Sequence, residues 1–195
     1  MKVNTFLADT NRALRLWGFI VGNTKDNNSK KRSNLYFFIV LITVITSLIL
    51  IRVFLIDWIS VSGKSMLPTL QPGELLLVDK TKHAGDDLQY GDIVIIKHPD
   101  SNTQLVKRVA GKAGDTVEIR DSILYINGEV QRESYTYPEP FNDMNPVLVE
   151  DSSIFVMGDN RNYSSDSRKI GSISDENIVG NAICVIYPFN QIRIF

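Results

Sequence analysis

The chain has 195 residues, 44% of them hydrophobic and 22% charged, with 21 Lys and Arg against 22 Asp and Glu for a formal net charge of −1. That length holds one domain of ordinary size plus an accessory segment, which excludes a multidomain protein. Values so near the globular average also exclude intrinsic disorder and a polytopic membrane protein.

The charge is unevenly placed. Residues 1–34 carry Lys2, Arg12, Arg15, Lys25, Lys30, Lys31 and Arg32 against only Asp9 and Asp26. Within them, LRLWGFIVG at 14–22 is too short to span a bilayer and suits a short helix on a membrane surface. The next stretch, LYFFIVLITVITSLILI at 35–51, has no charge, and VFLI follows Arg52. A run of this length and purity predicts a transmembrane helix over residues 35–56, because a core helix apolar on every side suits only a larger protein. It starts too late and runs too long for a cleavable signal, and no small-x-small Ala site follows, so it reads as an uncleaved anchor. From Asp57 onward there are 20 acidic residues against 13 basic. Basic residues at the entry keep the N-terminus cytoplasmic and place residues 57–195 across the membrane. Trp58 falls at the far interface, where an indole sits well.

Beyond Trp58 the chain reads as strands. ELLLVDK, DIVIIKH, LVKRVAG, DTVEIRD, ILYINGEVQ, SIFVMGD and AICVIYPF are short β-branched or aromatic runs bounded by Gly, Asp, Asn or Pro. Asn127-Gly128 marks a two-residue hairpin. An all-β, mainly antiparallel domain follows. Residues 132–152, rich in Pro, Glu, Asp and Asn, predict a long surface loop, either a plain connection or a wall beside a site. The single Cys184 rules out an internal disulfide and reads as a buried small hydrophobe. His83 and His98 have no ligand spacing around them, so no metal is expected, and both read as surface residues.

Three stretches hold chemistry-bearing residues. SGKSMLPTL at 62–70 contains Ser65, a nucleophile or a turn hydroxyl. A serine needs a base, and no Cys or His stands near a motif that would complete a familiar triad, which leaves a lysine. An ordinary lysine, with a pKa near 10.4, must be desolvated to serve at neutral pH. Lys107, in LVKRVAG, is in period-two phase with Leu105 and Val109 while Arg108 points the other way. Lys64, adjacent to Ser65 on an extended chain, would face the opposite side. The polar stretch GDNRNYSSDSR at 158–168 reads as a surface loop in which Asp159, Arg161, Asp166 and Arg168 pair internally to hold a rigid corner.

Together these stretches resemble the type I signal peptidases, membrane-anchored Ser-Lys proteases that remove signal peptides from exported proteins. SGKSMLPTL matches the nucleophile box, YGDIVII at 90–96 the next, LVKRVAGKAGD at 105–115 the lysine box and GDNRNYSSDSR the last, in the family's order over most of residues 52–195. The resemblance implies a signal-peptidase-like β-fold with Ser65 as nucleophile and Lys107 as general base. It further implies that Ser164 orients the base, with Asp166 and Arg168 as its structural support. Gly63, Met66, Pro68 and the Ser65 backbone are the candidates for the oxyanion and substrate-binding positions. Some members donate a serine hydroxyl to the oxyanion hole from two residues before the nucleophile; Gly63 stands there, and Ser62 is one place too early. The implied partners are secretory preproteins and the bilayer of the plasma membrane, with no cofactor, metal or nucleic acid. Two alternatives use the same residues differently. Self-cleaving repressors share the dyad but need an N-terminal DNA-binding domain, for which 34 residues are too few. A membrane-anchored binding domain would lack the nucleophile or the base.

Overall fold

The computed structural model describes residues 32–82, 84–101 and 103–195. The stretch at 14–22 and His83 lie outside the described residues. The chain divides into two units, Met1–Leu50 and Ile51–Phe195. Helix α1 spans Arg32–Phe54, long and apolar enough to cross a membrane. At 1.5 Å per residue it measures about 35 Å. Its apolar side chains are exposed along its length, and the Thr43 hydroxyl donates back to the Ile39 carbonyl at 2.9 Å, so this polar group needs no water.

The second unit is built of antiparallel strands. In chain order they are β1 (Ile56–Ser60), β2 (Leu75–Asp79), β3 (Ile93–Lys97), β4 (Gln104–Lys112), β5 (Thr116–Arg120), β6 (Ile123–Ile126), β7 (Glu129–Val130), β8 (Met144–Leu148), β9 (Ser153–Met157), β10 (Ile173–Ser174), β11 (Ile178–Tyr187) and β12 (Arg193–Ile194). A single turn of helix, α2 (Ser167–Ile170), lies between β9 and β10. One sheet runs β1-β2-β11-β3-β4-β9-β10, with β12 added on β11; a smaller one runs β7-β6-β5-β8. This is the predicted all-β, mainly antiparallel fold with one apolar N-terminal helix. Asn127 and Gly128 both have positive φ, 53° and 81°, so the hairpin between β6 and β7 has the conformation its sequence demands.

Several readings change. Part of the stretch expected as loop, residues 144–148, is strand β8. It contains Pro146 and lies at the edge of the small sheet, where a missing N–H costs no ladder bond. The true loop is residues 131–143. Cys184, on β11, is half-buried rather than buried.

Strands β3 and β9 are buried on both faces, which explains their unbroken apolar sequences IVII and IFVM. One core cluster joins Met66 and Leu70 to Leu76, Val78, Ile93, Ile95, Ala182 and Val185. The segment from 61 to 74 is therefore a loop whose middle is plugged into the core. Its neck is closed by Val61 N–H to Glu74 O at 2.8 Å and Gly73 N–H to Val61 O at 2.7 Å.

The C-terminal strand clamps the same loop. Arg193 donates both guanidinium nitrogens to the Glu74 carboxylate, at 2.8 and 2.7 Å, and Nη2 also reaches the Thr69 carbonyl at 2.6 Å. Glu74 is 2% exposed. Burial pushes its pKa up, but the Arg193 hydrogen bonds and charge, with the Gln71 N–H, hold it below the usual carboxylate range. Arg193→Ala leaves that carboxylate buried and unpaired, and because the arginine itself is partly solvated the expected cost is about 2 kcal/mol. The fall in chemical-denaturation midpoint, with the slope unchanged, measures it.

Candidate active site

Ser65 lies in the turn that follows Gly63. Lys64 to Thr69 is not extended: Leu67 N–H donates to Lys64 O and Leu70 N–H to Met66 O, so the chain coils into nearly one helical turn. Lys64 is exposed, as expected, although the coil rather than strand alternation sends it outward. Met66 is 1% exposed and packs in the core beneath Ser65, so its contribution is to seat the turn. Pro68 is exposed and follows a cis peptide bond. Gly63 and Ser62 are exposed as well.

Lys107 comes from β4, which is an interior strand between β3 and β9. The alternation read in the sequence holds locally: Lys107 and Val109 are buried, and Arg108 is half-buried on the other side. Lys107 is 2% exposed. Its Nζ donates to Ser65 Oγ at 2.8 Å and to Val106 O at 3.1 Å. Burial disfavours the ammonium most, Asp166 and Asp159 favour it, and Arg168 opposes it; the net result is a pKa lowered to about 8. About a tenth of the molecules then hold a neutral Lys107 at pH 7.

The stretch at 158–168 closes over this pair. Asn160 N–H donates to Ser65 O at 2.9 Å, and its side-chain amide donates to Lys64 O at 3.1 Å. With its carbonyl so held, the Ser65 N–H is left without a protein acceptor among the described residues. Gly158 comes so close that a Cβ there would meet Ser65 O at 2.6 Å and would collide with Ser164. Only glycine allows that approach.

Of the four charged residues expected to pair with one another, only Asp166 and Arg168 do. Arg168 donates Nε to Asp166 Oδ1 and Nη2 to Oδ2, both at 2.8 Å. Burial pushes Asp166 up, yet the Arg168 hydrogen bonds and charge, Ser164 and the Gly158 N–H together hold it below the usual carboxylate range. Asp159 instead reaches across to Arg108, through Nε at 2.8 Å and Nη2 at 2.7 Å. Arg161 pairs with Glu133, 28 residues back. The corner is thus pinned to β4 and to the 131–143 loop; the local density of opposite charges hid the longer-range partners.

Ser164 is 4% exposed. Its hydroxyl lies close enough to Asp166 to lower that carboxyl's pKa, but no partner meets hydrogen-bonding geometry. It does not bond Lys107, whose orientation comes from Val106 O and Ser65 Oγ.

Arg108, Thr69, Gly91, Asn160 and Gly158 were missed in the sequence as site residues. Arg108 Nη1 donates to Gly91 O at 2.6 Å, and Thr69 Oγ1 donates to Asp159 Oδ2 at 2.5 Å. Gly91 has φ 87°. The only signal for these residues was membership in the matching boxes.

A sequence profile described as signal peptidase, peptidase S26, matches residues 32–187. The chain belongs to that family. Signal peptidase I T of Bacillus subtilis (strain 168) is 41% identical over 182 residues, covering 86% of this chain and 94% of that protein. Signal peptidase I of Bacillus licheniformis is 39% identical over 183 residues, covering 87% and 98%. A crystal structure of a signal peptidase I from Enterococcus faecalis V583 is 32% identical, with a TM-score of 0.44 over 48% of this chain and 95% of that one. The signal peptidase match begins at Arg32 and so takes in the apolar helix together with the strands. This signal peptidase is accordingly a serine peptidase, and the serine, lysine and polar corner described above lie inside the matched region.

Proposed function

We propose that this peptidase cuts signal peptides from exported preproteins with Ser65 as nucleophile and Lys107 as general base. The observation that carries the reading is the 2.8 Å contact between Ser65 Oγ and the Nζ of a buried lysine whose pKa is lowered to about 8. The neutral amine takes the Ser65 proton as Oγ attacks the scissile carbonyl. The free Ser65 N–H is the donor available to the oxyanion, and Gly63, having no side chain, adds no hydroxyl beside it. A donor of this kind contributes about 3 kcal/mol in the transition state.

The ammonium formed on Lys107 has three N–H groups. Val106 O takes one and the Ser65 oxygen another; the Ser164 hydroxyl, buried without a partner, is suited to the third. The same ammonium then protonates the departing amine of the mature chain, leaving an ester between the signal peptide and Ser65. Lys107 next deprotonates the water that hydrolyses this ester. Asp166 and Arg168 fix the corner that covers the base.

Helix α1 anchors the enzyme. We assign residues 1–34 to the cytoplasmic side, the apolar run of α1 from residue 35 to Phe54 to the span, and the strands from β1 onward to the peptidase domain across the plasma membrane. Ile56, read from the sequence as the last residue of the span, pairs with Asp79 as the first residue of β1. The seven basic residues ahead of the span, against two acidic, support that orientation. Tethering to the membrane raises the effective concentration of a substrate that is itself held there by its apolar segment. Selection of small-x-small sites such as Ala-x-Ala requires pockets beside Ser65 too shallow for large side chains.

Incubating the detergent-solubilised protein with a preprotein and weighing the products tests the function. Cleavage is expected after a small-x-small site and is abolished when the residue preceding the cut is made bulky. Cleavage at unrelated positions, or indifference to the bulky residue, contradicts the reading.

A further inference from the structure

The loop at 131–143 packs on Arg108 of β4 and on Arg161 of the polar corner. The Tyr135 ring lies under the Arg108 guanidinium, 3.9 Å from centroid to Cζ. Its hydroxyl donates to Glu133 Oε1 at 2.8 Å. Glu133 Oε1 also accepts from Arg161, and both side chains of that ion pair are buried. Phe141 faces the Arg161 guanidinium at 5.0 Å, and the Asn162 amide donates to Pro140 O at 3.1 Å.

Arg108 is where three parts of the site meet. It follows Lys107 on β4, binds Asp159 of the corner through two nitrogens, and lies 3.4 Å from the Thr69 hydroxyl of the Ser65 loop. Asp159 in turn accepts from that same hydroxyl. The plane of the Arg108 guanidinium therefore fixes where the nucleophile loop hangs relative to the strand that bears the base. A guanidinium exposed to water samples many orientations; one stacked on a ring and desolvated does not.

Resting on the assignment of Ser65 and Lys107 above, we infer that Tyr135 and Glu133 are positioning residues. They act through Arg108 and Arg161 to hold Ser65 in attacking geometry on Lys107. Small displacements at a nucleophile are costly, about a hundredfold per ångström, so the effect appears in kcat. Tyr135 stacks on Arg108 and is not among the hydrogen-bond partners of Ser65 or Lys107, so its effect is expected in kcat rather than in substrate affinity.

The test compares Tyr135→Ala and Tyr135→Phe with wild type in the full-length, detergent-solubilised enzyme, measuring kcat and KM for preprotein cleavage together with the melting midpoint. Tyr135→Ala is expected to lower kcat about 10- to 100-fold with KM changed less than about threefold. Tyr135→Phe keeps the ring on Arg108 and is expected to stay within about threefold of wild type. If the alanine variant does not fold, Tyr135→Leu, which fills the space without a π face, is read against the same thresholds. A kcat within twofold of wild type in the Ala or Leu variant overturns the inference. So does a rise in KM at constant kcat, or an equal loss in the Phe variant. Ser65→Ala run alongside separates the two levels: activity there sinks the dyad itself, whereas an inactive Ser65→Ala with an unaffected Tyr135→Ala sinks only the role of the loop.

Discussion

Lys107→Arg is expected to be as inactive as Lys107→Ala, each losing about 1,000-fold or more in kcat. Arginine retains the positive charge and the donors, so any role for Lys107 as a structural cation or an electrostatic anchor would survive the change. It cannot give up a proton at neutral pH and so cannot be a base. The environment sharpens the contrast: a side chain that is 2% exposed is held where charge is penalised, and a permanent guanidinium there fights the same desolvation that lowers the lysine pKa to about 8. Preprotein cleavage assayed on samples matched for folded fraction by circular dichroism gives the answer. Activity in the arginine variant at more than a few per cent of wild type would point to a different base.

Ser65→Ala is expected to abolish turnover by a factor of at least 1,000 while leaving the fold intact. Ser65 is half-buried, and the held parts of its turn are backbone groups: its own carbonyl on Asn160, Lys64 O on the Asn160 amide, and Leu70 N–H on Met66 O. None of these uses the hydroxyl. The side-chain contact that disappears is the one to Lys107 Nζ, which keeps Val106 O as a partner. The melting midpoint is accordingly expected to move little. Deleting a nucleophile from a cooperating pair costs nearly the whole of the catalytic advantage, because the base then has nothing to activate. Measured turnover near the wild-type value would mean that another residue attacks the carbonyl.

The readability of this chain in sequence followed the range of its interactions. Strands such as IVII and IFVM, buried on both faces, and the Asn127-Gly128 hairpin are local in origin and were visible directly. So was the phase of Lys107, since alternation along one strand is a nearest-neighbour property. Strands β1, β8, β10 and β12 were not visible: β10 and β12 are two residues long, β8 carries a proline and exposes most of its side chains, and β1 follows an apolar run that masks it. The nucleophile could not be told from a turn hydroxyl in SGKSMLPTL alone. What distinguishes it is a lysine 42 residues away, and what holds its loop is Asn160, Asp159 and Arg193, each some 90 residues or more along the chain. Partners so distant leave no periodicity. The polar corner misled for the same reason, since Asp159 and Arg161 had nearer opposite charges than the ones they choose. Family resemblance supplied the box membership of these residues, but not the geometry that ties them together.

The central claim is that a buried, neutral Lys107 takes the proton of Ser65, and the pH dependence of kcat/KM tests it most directly. Because the folded pKa is lowered to about 8, the base is free above that value and protonated below it. The profile is therefore predicted to be level above about pH 8 and to fall tenfold per unit below, reaching about one hundredth of the plateau at pH 6. A profile that stays flat from pH 5 to 9 in an enzyme that remains folded would contradict the account.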